Sequence, residues 1–390
     1  MLSSTFTFVT LSVVTSCIYA ASISNNDTII HLECRDDEGA PDMDSKTCIF
    51  HEIVATTSDA VFDYIPSEDK NWVKFKNSIL YQIPPNLFKN YLNTQTLDVT
   101  ACQIEYLSSE SLVGAENLLY LHMKGNNLTK LGHGLFANAP HLEDLKMQFN
   151  HISDIEEQAF SGLAQLRFLY LGKNQLTTLH DGTFRELVNL ETLDLSYNSL
   201  LEISDELFTT NKVLDSLDLR GNKIGVISPN AFKNLERLSN LDLASNNIKK
   251  IPAQAFDMLV NLRSLVLFEN NLTELDLTWQ DNSGCGHQTN GSKMILPRLT
   301  KISLAENKWN CSYLETLMET LENYDVRQLP YKLIHPEDPK INVKGVSCEK
   351  VETEEEDETS TDATTTTKTP TITKDDISET RSCLFTKLGY

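Results

Sequence analysis

The sequence predicts an α/β solenoid in which stacked strands form one open parallel sheet. Three observations predict it. Leucine recurs every 24 residues, at Leu97, Leu121, Leu145, Leu169, Leu193, Leu217, Leu241 and Leu265, with Val73 one period earlier. A phenylalanine stands fifteen residues after the anchor at Phe88, Phe136, Phe160, Phe184, Phe208, Phe232 and Phe256, and between Phe88 and Phe256 only Leu112 breaks that column. An asparagine column runs through Asn126, Asn150, Asn174, Asn198, Asn222, Asn246, Asn270 and Asn307. An apolar lattice in register over about two hundred residues means units that cover one another's apolar flanks, not one folded core.

The elements follow in chain order. Residues 1–20 read as a secretory signal peptide. The apolar run from Thr5 is too short to span a bilayer and ends in the small residues Ala20 and Ala21. No later stretch approaches the length of a membrane span, so a secreted, extracellular protein is expected with no membrane insertion. Five N-glycosylation sequons agree with export, at Asn26, Asn127, Asn271, Asn290 and Asn310. Residues 21–72 carry no lattice and read as an N-terminal cap, because the end of a solenoid exposes apolar edges. A Cys34–Cys48 disulfide closes this cap and contributes roughly 3 kcal/mol through chain entropy.

Residues 73–307 hold ten repeats. One unit reads Leu166, Leu169, Leu171, Asn174, Leu176, Leu179, and the tenth reads Leu299, Ile302, Leu304, Asn307. Between the ninth and tenth the spacing grows to 37, and the added residues around Trp279 to His287 are polar and Gly-rich, as in a protruding loop. Residues 308–348 switch to a helical period with Leu314, Leu317, Met318 and Leu321 and read as a C-terminal cap stapled by Cys311–Cys348. Residues 349–390 are acidic and then Thr-rich, a composition that cannot bury a core and predicts a disordered tail.

Within a unit, apolar residues at the fourth and sixth positions alternate with polar ones, the period of a short strand with one face inward. Where the chain leaves the strand its backbone groups lose their partners. An amide side chain supplies donors and acceptors there. Ser78 and Cys102 fill that column in the first two units, and Cys102 reads as a small structural residue. Ten strands about 4.8 Å apart make a face on the order of 45 Å long. The repeat places nothing over it, so it remains for a partner.

These residues resemble extracellular leucine-rich repeat proteins of the 24-residue class. The segment from Asn307 to Cys311, with Asn342 to Cys348, is similar to the C-terminal cap of insect secreted leucine-rich repeat proteins, including the leucine-rich repeat immune proteins of mosquitoes. The resemblance implies a right-handed leucine-rich repeat horseshoe with a parallel β-sheet on its concave face and caps at both ends. It implies protein binding in the haemolymph or at the cell surface. The sequence departs from the mosquito group after the cap, where it has no heptad segment and no paired cysteines.

The net charge of −22 and the lack of a basic patch in the sequence argue against phosphate-backbone binding, so no nucleic acid is expected. No H-E-x-x-H, G-x-S-x-G, phosphate loop or dinucleotide fingerprint occurs, so no enzyme, no cofactor and no metal are expected. The candidate site is the set of variable residues on the open strands: Tyr120, His122, Lys124, Lys146, Phe168, Tyr170, Asp194, Asp218, Arg220 and Asp242, with Phe149 and Tyr197 at the strand edge. Exposed aromatics beside Arg are the usual energetic anchors of interfaces. Phe149, Phe168, Tyr170 and Tyr197 are expected to lie together as a hot spot, with Asp194, Asp218 and Asp242 as an acidic column beside it. Asp between the two strand leucines is also the common choice in this repeat class. No sequon falls between Asn127 and Asn271, which leaves the centre free of glycan.

The expected function is recognition of an extracellular protein or a microbial surface ligand, including a microbial glycan, in innate immunity or signalling. Alternatives are a structural matrix protein and a soluble receptor-like decoy. Once Cys17 leaves with the signal, seven cysteines remain, an odd count. Cys285 and Cys383 pair with each other or one links two chains. The second arrangement predicts a disulfide-linked dimer through Cys285 or Cys383. Non-reducing electrophoresis of the secreted protein is then expected to show a band at twice the monomer mass that reductant abolishes, and a lone monomer band excludes it.

Overall fold

The computed structural model describes residues 29–34, 46–65, 70–279, 293–330 and 342–349. Its spine is one sheet of twelve strands, all paired in parallel. Ten strands carry the repeat anchors, from Trp72–Lys76 through Lys301–Ser303. Leu121 pairs in register with Leu145, Leu145 with Leu169, and so on to Leu265 with Ile302. Each middle residue points inward and is buried, while its two strand neighbours face the open side. That is the period-two geometry of a strand with one wet face.

Two strands lie beyond the repeats. Thr47–His51 adds to Trp72–Lys76 at one end, and Arg327–Gln328 adds to Lys301–Ser303 at the other. Both end segments therefore continue the sheet as well as covering the core. At the N-terminal end Cys34 and Cys48 are bonded. Phe50 packs on Phe75 and Tyr91, with ring centroids 4.8 and 5.7 Å apart. At the C-terminal end Trp309 is fully buried and its indole N–H donates to the Leu304 carbonyl at 2.7 Å. The helix Cys311–Asn323 follows, with Leu314, Leu317, Met318 and Leu321 buried, and Cys311 is bonded to Cys348.

Away from the sheet the coils close through turns. These include the short strand pairs Lys130–Leu131 with Asp154–Ile155 and Glu202–Ile203 with Val226–Ile227, and single 3-10 turns at Ser109–Leu112 and Ala253–Phe256. Here the phenylalanine column forms a stack. Phe136, Phe160, Phe184 and Phe208 follow one another at 6.0, 6.2 and 6.1 Å with nearly parallel rings, all buried. The insertion after the ninth repeat leaves through Thr278–Trp279, which pairs antiparallel with Lys293–Met294. The predicted protruding loop between them lies outside the described residues. So do the predicted signal peptide, the tail after Glu349, Asn26, Asn290, Cys285 and Cys383.

The asparagine column ties the coils together. Asn198 Oδ1 accepts the Leu176 N–H of the preceding coil at 3.0 Å. Its Nδ2 donates to Leu195 in its own coil at 3.0 Å and to Leu171 in the preceding one at 3.1 Å. The Leu171 carbonyl also takes Asn174 Nδ2, and the Leu195 carbonyl takes Asn222 Nδ2. Each strand-end carbonyl is thus shared by two successive asparagines, and the amides form a continuous ladder. Where Ser78 replaces Asn, its hydroxyl accepts from the Ile53 N–H and donates to the Lys76 carbonyl.

Asn198→Ala removes four bonds, the fourth from Nδ2 to the Ser196 carbonyl at 3.3 Å, and leaves the buried Leu176 N–H unpaired. The expected loss is about 3 kcal/mol of unfolding free energy. Urea denaturation followed by circular dichroism measures it, and a loss below ~0.5 kcal/mol contradicts the ladder's role.

Candidate partner-binding face

The sheet register decides which side chains share the open face. Tyr120, Asp144, Phe168 and Thr192 stand on one row, and His122, Lys146, Tyr170, Asp194, Asp218 and Asp242 on another. The sequence-predicted Tyr120, His122, Lys146, Phe168, Tyr170, Asp194, Asp218 and Asp242 therefore all lie on the strands. Lys124, Phe149, Tyr197 and Arg220 lie along the edge where the chain leaves them.

The four aromatics do not form one cluster. Phe168 and Tyr170 are half-buried on their strand, and the Arg167 guanidinium lies 5.1 Å from the Phe168 ring. Arg167 also makes a bidentate pair with Glu191 at 2.8 and 3.0 Å. Phe149 and Tyr197 sit at the edge, 45% and 49% exposed. Tyr120 is 38% exposed on the outer row. An open groove beside the strand starts is lined by Phe168, Glu191, Asp215, Arg237 and Arg263.

The edge has its own geometry. The residue just before each ladder asparagine is held at positive φ, among them Gly125 (70°), Phe149 (58°), Lys173 (57°), Tyr197 (52°) and Gly221 (69°). Glycine adopts that conformation freely, whereas a bulky aromatic there is strained. The side chains project in line. Lys124 Nζ lies 4.9 Å from the Phe149 centroid, and Lys173 Nζ lies 4.5 Å from Phe149 and 5.3 Å from Tyr197. The Arg220 guanidinium lies 5.7 Å from Tyr197. The result is a row in which cations and rings alternate. Gly221 makes room for it, because a Cβ there would meet the Tyr197 ring at 2.6 Å. Lys173 was not among the residues singled out from sequence. The signal for its column was Gly125 and Gly221, which share one place in the repeat.

The acidic column does structural work. Oδ1 of Asp194, Asp218 and Asp242 accepts the backbone N–H two residues on, at 2.9, 3.0 and 2.9 Å, and so braces the strand exit. Arg220 reaches Asp218 at 2.9 Å and Asp242 at 3.6 Å.

Three overlapping segments, residues 120–176, 169–224 and 212–272, match the family described as Leucine rich repeat. The fold is a leucine-rich repeat horseshoe. No curated protein matches the chain. Among solved structures it is similar to the crystal structure of the TLR13–ssRNA13 complex, at 18% identity and a TM-score of 0.41, over 73% of this chain and 54% of that one. It spans about half the length of that TLR13 chain. It is also similar to the crystal structure of the LRIM1/APL1C complex, at 17% identity and a TM-score of 0.38, over 83% of this chain and 72% of that one. Both likenesses concern the fold alone.

Elsewhere on the horseshoe, Asn127 and Asn271 each directly follow a ladder asparagine and are half-exposed. Their sequons therefore occupy the same point of two coils. Asn310 caps the C-terminal helix, accepting the Ser312 and Tyr313 N–H groups at 2.9 and 3.2 Å. Cys102 is buried, and burial pushes its thiol up to about 12, which leaves it un-ionised and unreactive. Among the described residues, no group of three His, Cys, Asp or Glu side chains is placed to hold a metal ion, and no helix is long and apolar enough to cross a membrane.

Electrostatics on this face follow burial. Partial burial, with Lys146 alongside, lowers the His122 pKa and favours its neutral ring. Burial raises the Asp218 carboxyl to about 6, helped by Asp242 and opposed by bonds from Arg220. An acid whose folded pKa lies above its unfolded value stabilises the fold fully below pH ~4, and that contribution is lost as pH rises to ~6. The Asp218→Asn variant, which carries no charge to bury, is expected to gain about 2 kcal/mol relative to the parent between pH 4 and pH 7, after discounting for solvent screening. Denaturation at both pH values tests this, and parallel stability curves refute it.

Proposed function

We propose that this chain is a secreted extracellular protein that recognises a protein or microbial glycan partner on its concave sheet, in innate immunity or signalling. One observation carries the reading. Tyr120, Phe149 and Tyr197 keep 38%, 45% and 49% of their surface exposed on a face whose strand side chains only half cover one another. Large exposed aromatics on a rigid sheet bind at low entropic cost, because the scaffold is already ordered. The two bonded cysteine pairs support an oxidising compartment. The absence of a sequon between Asn127 and Asn271 supports a centre free of glycan. The face holds no paired nucleophile and base, and we assign it no catalysis.

The test replaces both Phe168 and Tyr170 by Ala. The variant is expected to keep the parent's melting temperature within a few degrees and lose at least tenfold in capture of the ligand retained from the secreting organism's body fluid. Unchanged capture rules out the concave strands as the recognition surface.

A further inference from the structure

The edge row of the horseshoe carries chemistry opposite to the rest of the chain. The protein has a net charge of −22, yet Lys124 and Lys173 are exposed and make no ion pair among the described residues. Instead their ammonium groups lie against the faces of Phe149 and Tyr197. Such a contact at an exposed site orients a flexible lysine without neutralising it. Arg220 differs, since Asp218 and Asp242 neutralise it, and it closes the row at its C-terminal end. Polar atoms here are also left over. Gln148 Oε1 and Arg220 Nε are shielded from solvent and have no hydrogen-bond partner among the described residues. Groups of that kind call for an explanation.

From this we infer that the row Lys124, Phe149, Lys173, Tyr197 docks an acidic, extended segment of a partner protein. This rests on the reading of the concave side as a recognition surface and names the chemistry of what it takes. Lys124 and Lys173 stand two coils apart, about 10 Å at ~4.8 Å per strand. An extended peptide advances ~3.3 Å per residue, so carboxylates three residues apart meet both ammonium groups. Apolar side chains between and after them fall on the Phe149 and Tyr197 rings. Beyond Arg220 the carboxylates of Asp218 and Asp242 repel a further acidic residue, which fixes where the segment stops. The positive φ at both ring positions holds the aromatics upright before any ligand arrives.

The test uses the full chain and labelled peptides read by fluorescence anisotropy. One peptide carries glutamate at every third position with leucine between. A second has the same composition with its glutamates clustered, and a third carries lysine in place of glutamate. The first is expected to bind at least tenfold tighter than the other two. Lys124→Met with Lys173→Met, at exposed positions that keep the aliphatic stems, is expected to abolish that preference, and the Arg pair to keep it. Gly221→Ala, which displaces the Tyr197 ring without changing charge, is expected to weaken the first peptide severalfold. Equal binding of the three peptides, or an unaltered Met pair, overturns the proposal. So does binding of dextran sulfate with no binding of the first peptide, which would make the ligand an anionic glycan. Should the peptides fail while Phe168→Ala with Tyr170→Ala still abolishes capture, the acidic segment is excluded and the broader recognition reading stands.

Discussion

Everything in this fold depends on one constraint: backbone that leaves a strand must still find hydrogen-bond partners inside an apolar stack. A buried, unpaired amide costs about 1–3 kcal/mol. A repeat protein meets that cost at every coil. The asparagine column meets it cooperatively, because each amide serves its own coil and the one before. Leucine burial supplies most of the driving force, at roughly 1.5–3 kcal/mol per side chain. Burial is non-directional, however, and would tolerate slippage. The amide ladder is directional and locks each coil to its neighbour at a 24-residue offset.

The same constraint shapes the candidate site. To bring the asparagine inward, the chain turns sharply one residue earlier, and that residue takes positive φ in coil after coil. A non-glycine residue there costs on the order of 1–3 kcal/mol. Gly125 and Gly221 avoid the cost. Phe149, Lys173 and Tyr197 accept it and gain a fixed, outward projection at the sheet edge. The strained position and the exposed ring are one feature, and the row of cations and rings follows from it.

Much of this was legible in the sequence, and what was missed has physical reasons. The leucine and phenylalanine lattices repeat at a fixed interval, so sheet register and the amide column could be read from spacing, and both disulfides from the cysteines that bracket the two end segments. The outer strand Thr47–His51 could not, since nearly all of its residues are buried and it lacks the leucine motif. The strand Arg327–Gln328 contains no apolar residue to mark it. Phe149 and Tyr197 could be placed at the strand edge, but hydropathy carries no information on φ, so their separate row could not be told from one hot spot shared with Phe168 and Tyr170. The column of Asp194, Asp218 and Asp242 was read as an acidic column beside the aromatics, or as the common residue at that place in the repeat. Its job of bracing the strand exit becomes visible only with the turn beside it.

Charge on this molecule has to be argued by distance. At physiological ionic strength the screening length is about 8 Å, so carboxylates spread over the outside of the coils are largely hidden from a ligand at the concave edge. What such a ligand meets is local: ammonium groups within about 5 Å of the Phe149 ring, then the carboxylates around Arg220. The net charge is acidic, while the edge presents the opposite sign over a few coils. A protein this acidic can hold a local preference for acidic partners because its positive groups sit on rigid strand ends that bring them within one screening length of the ligand.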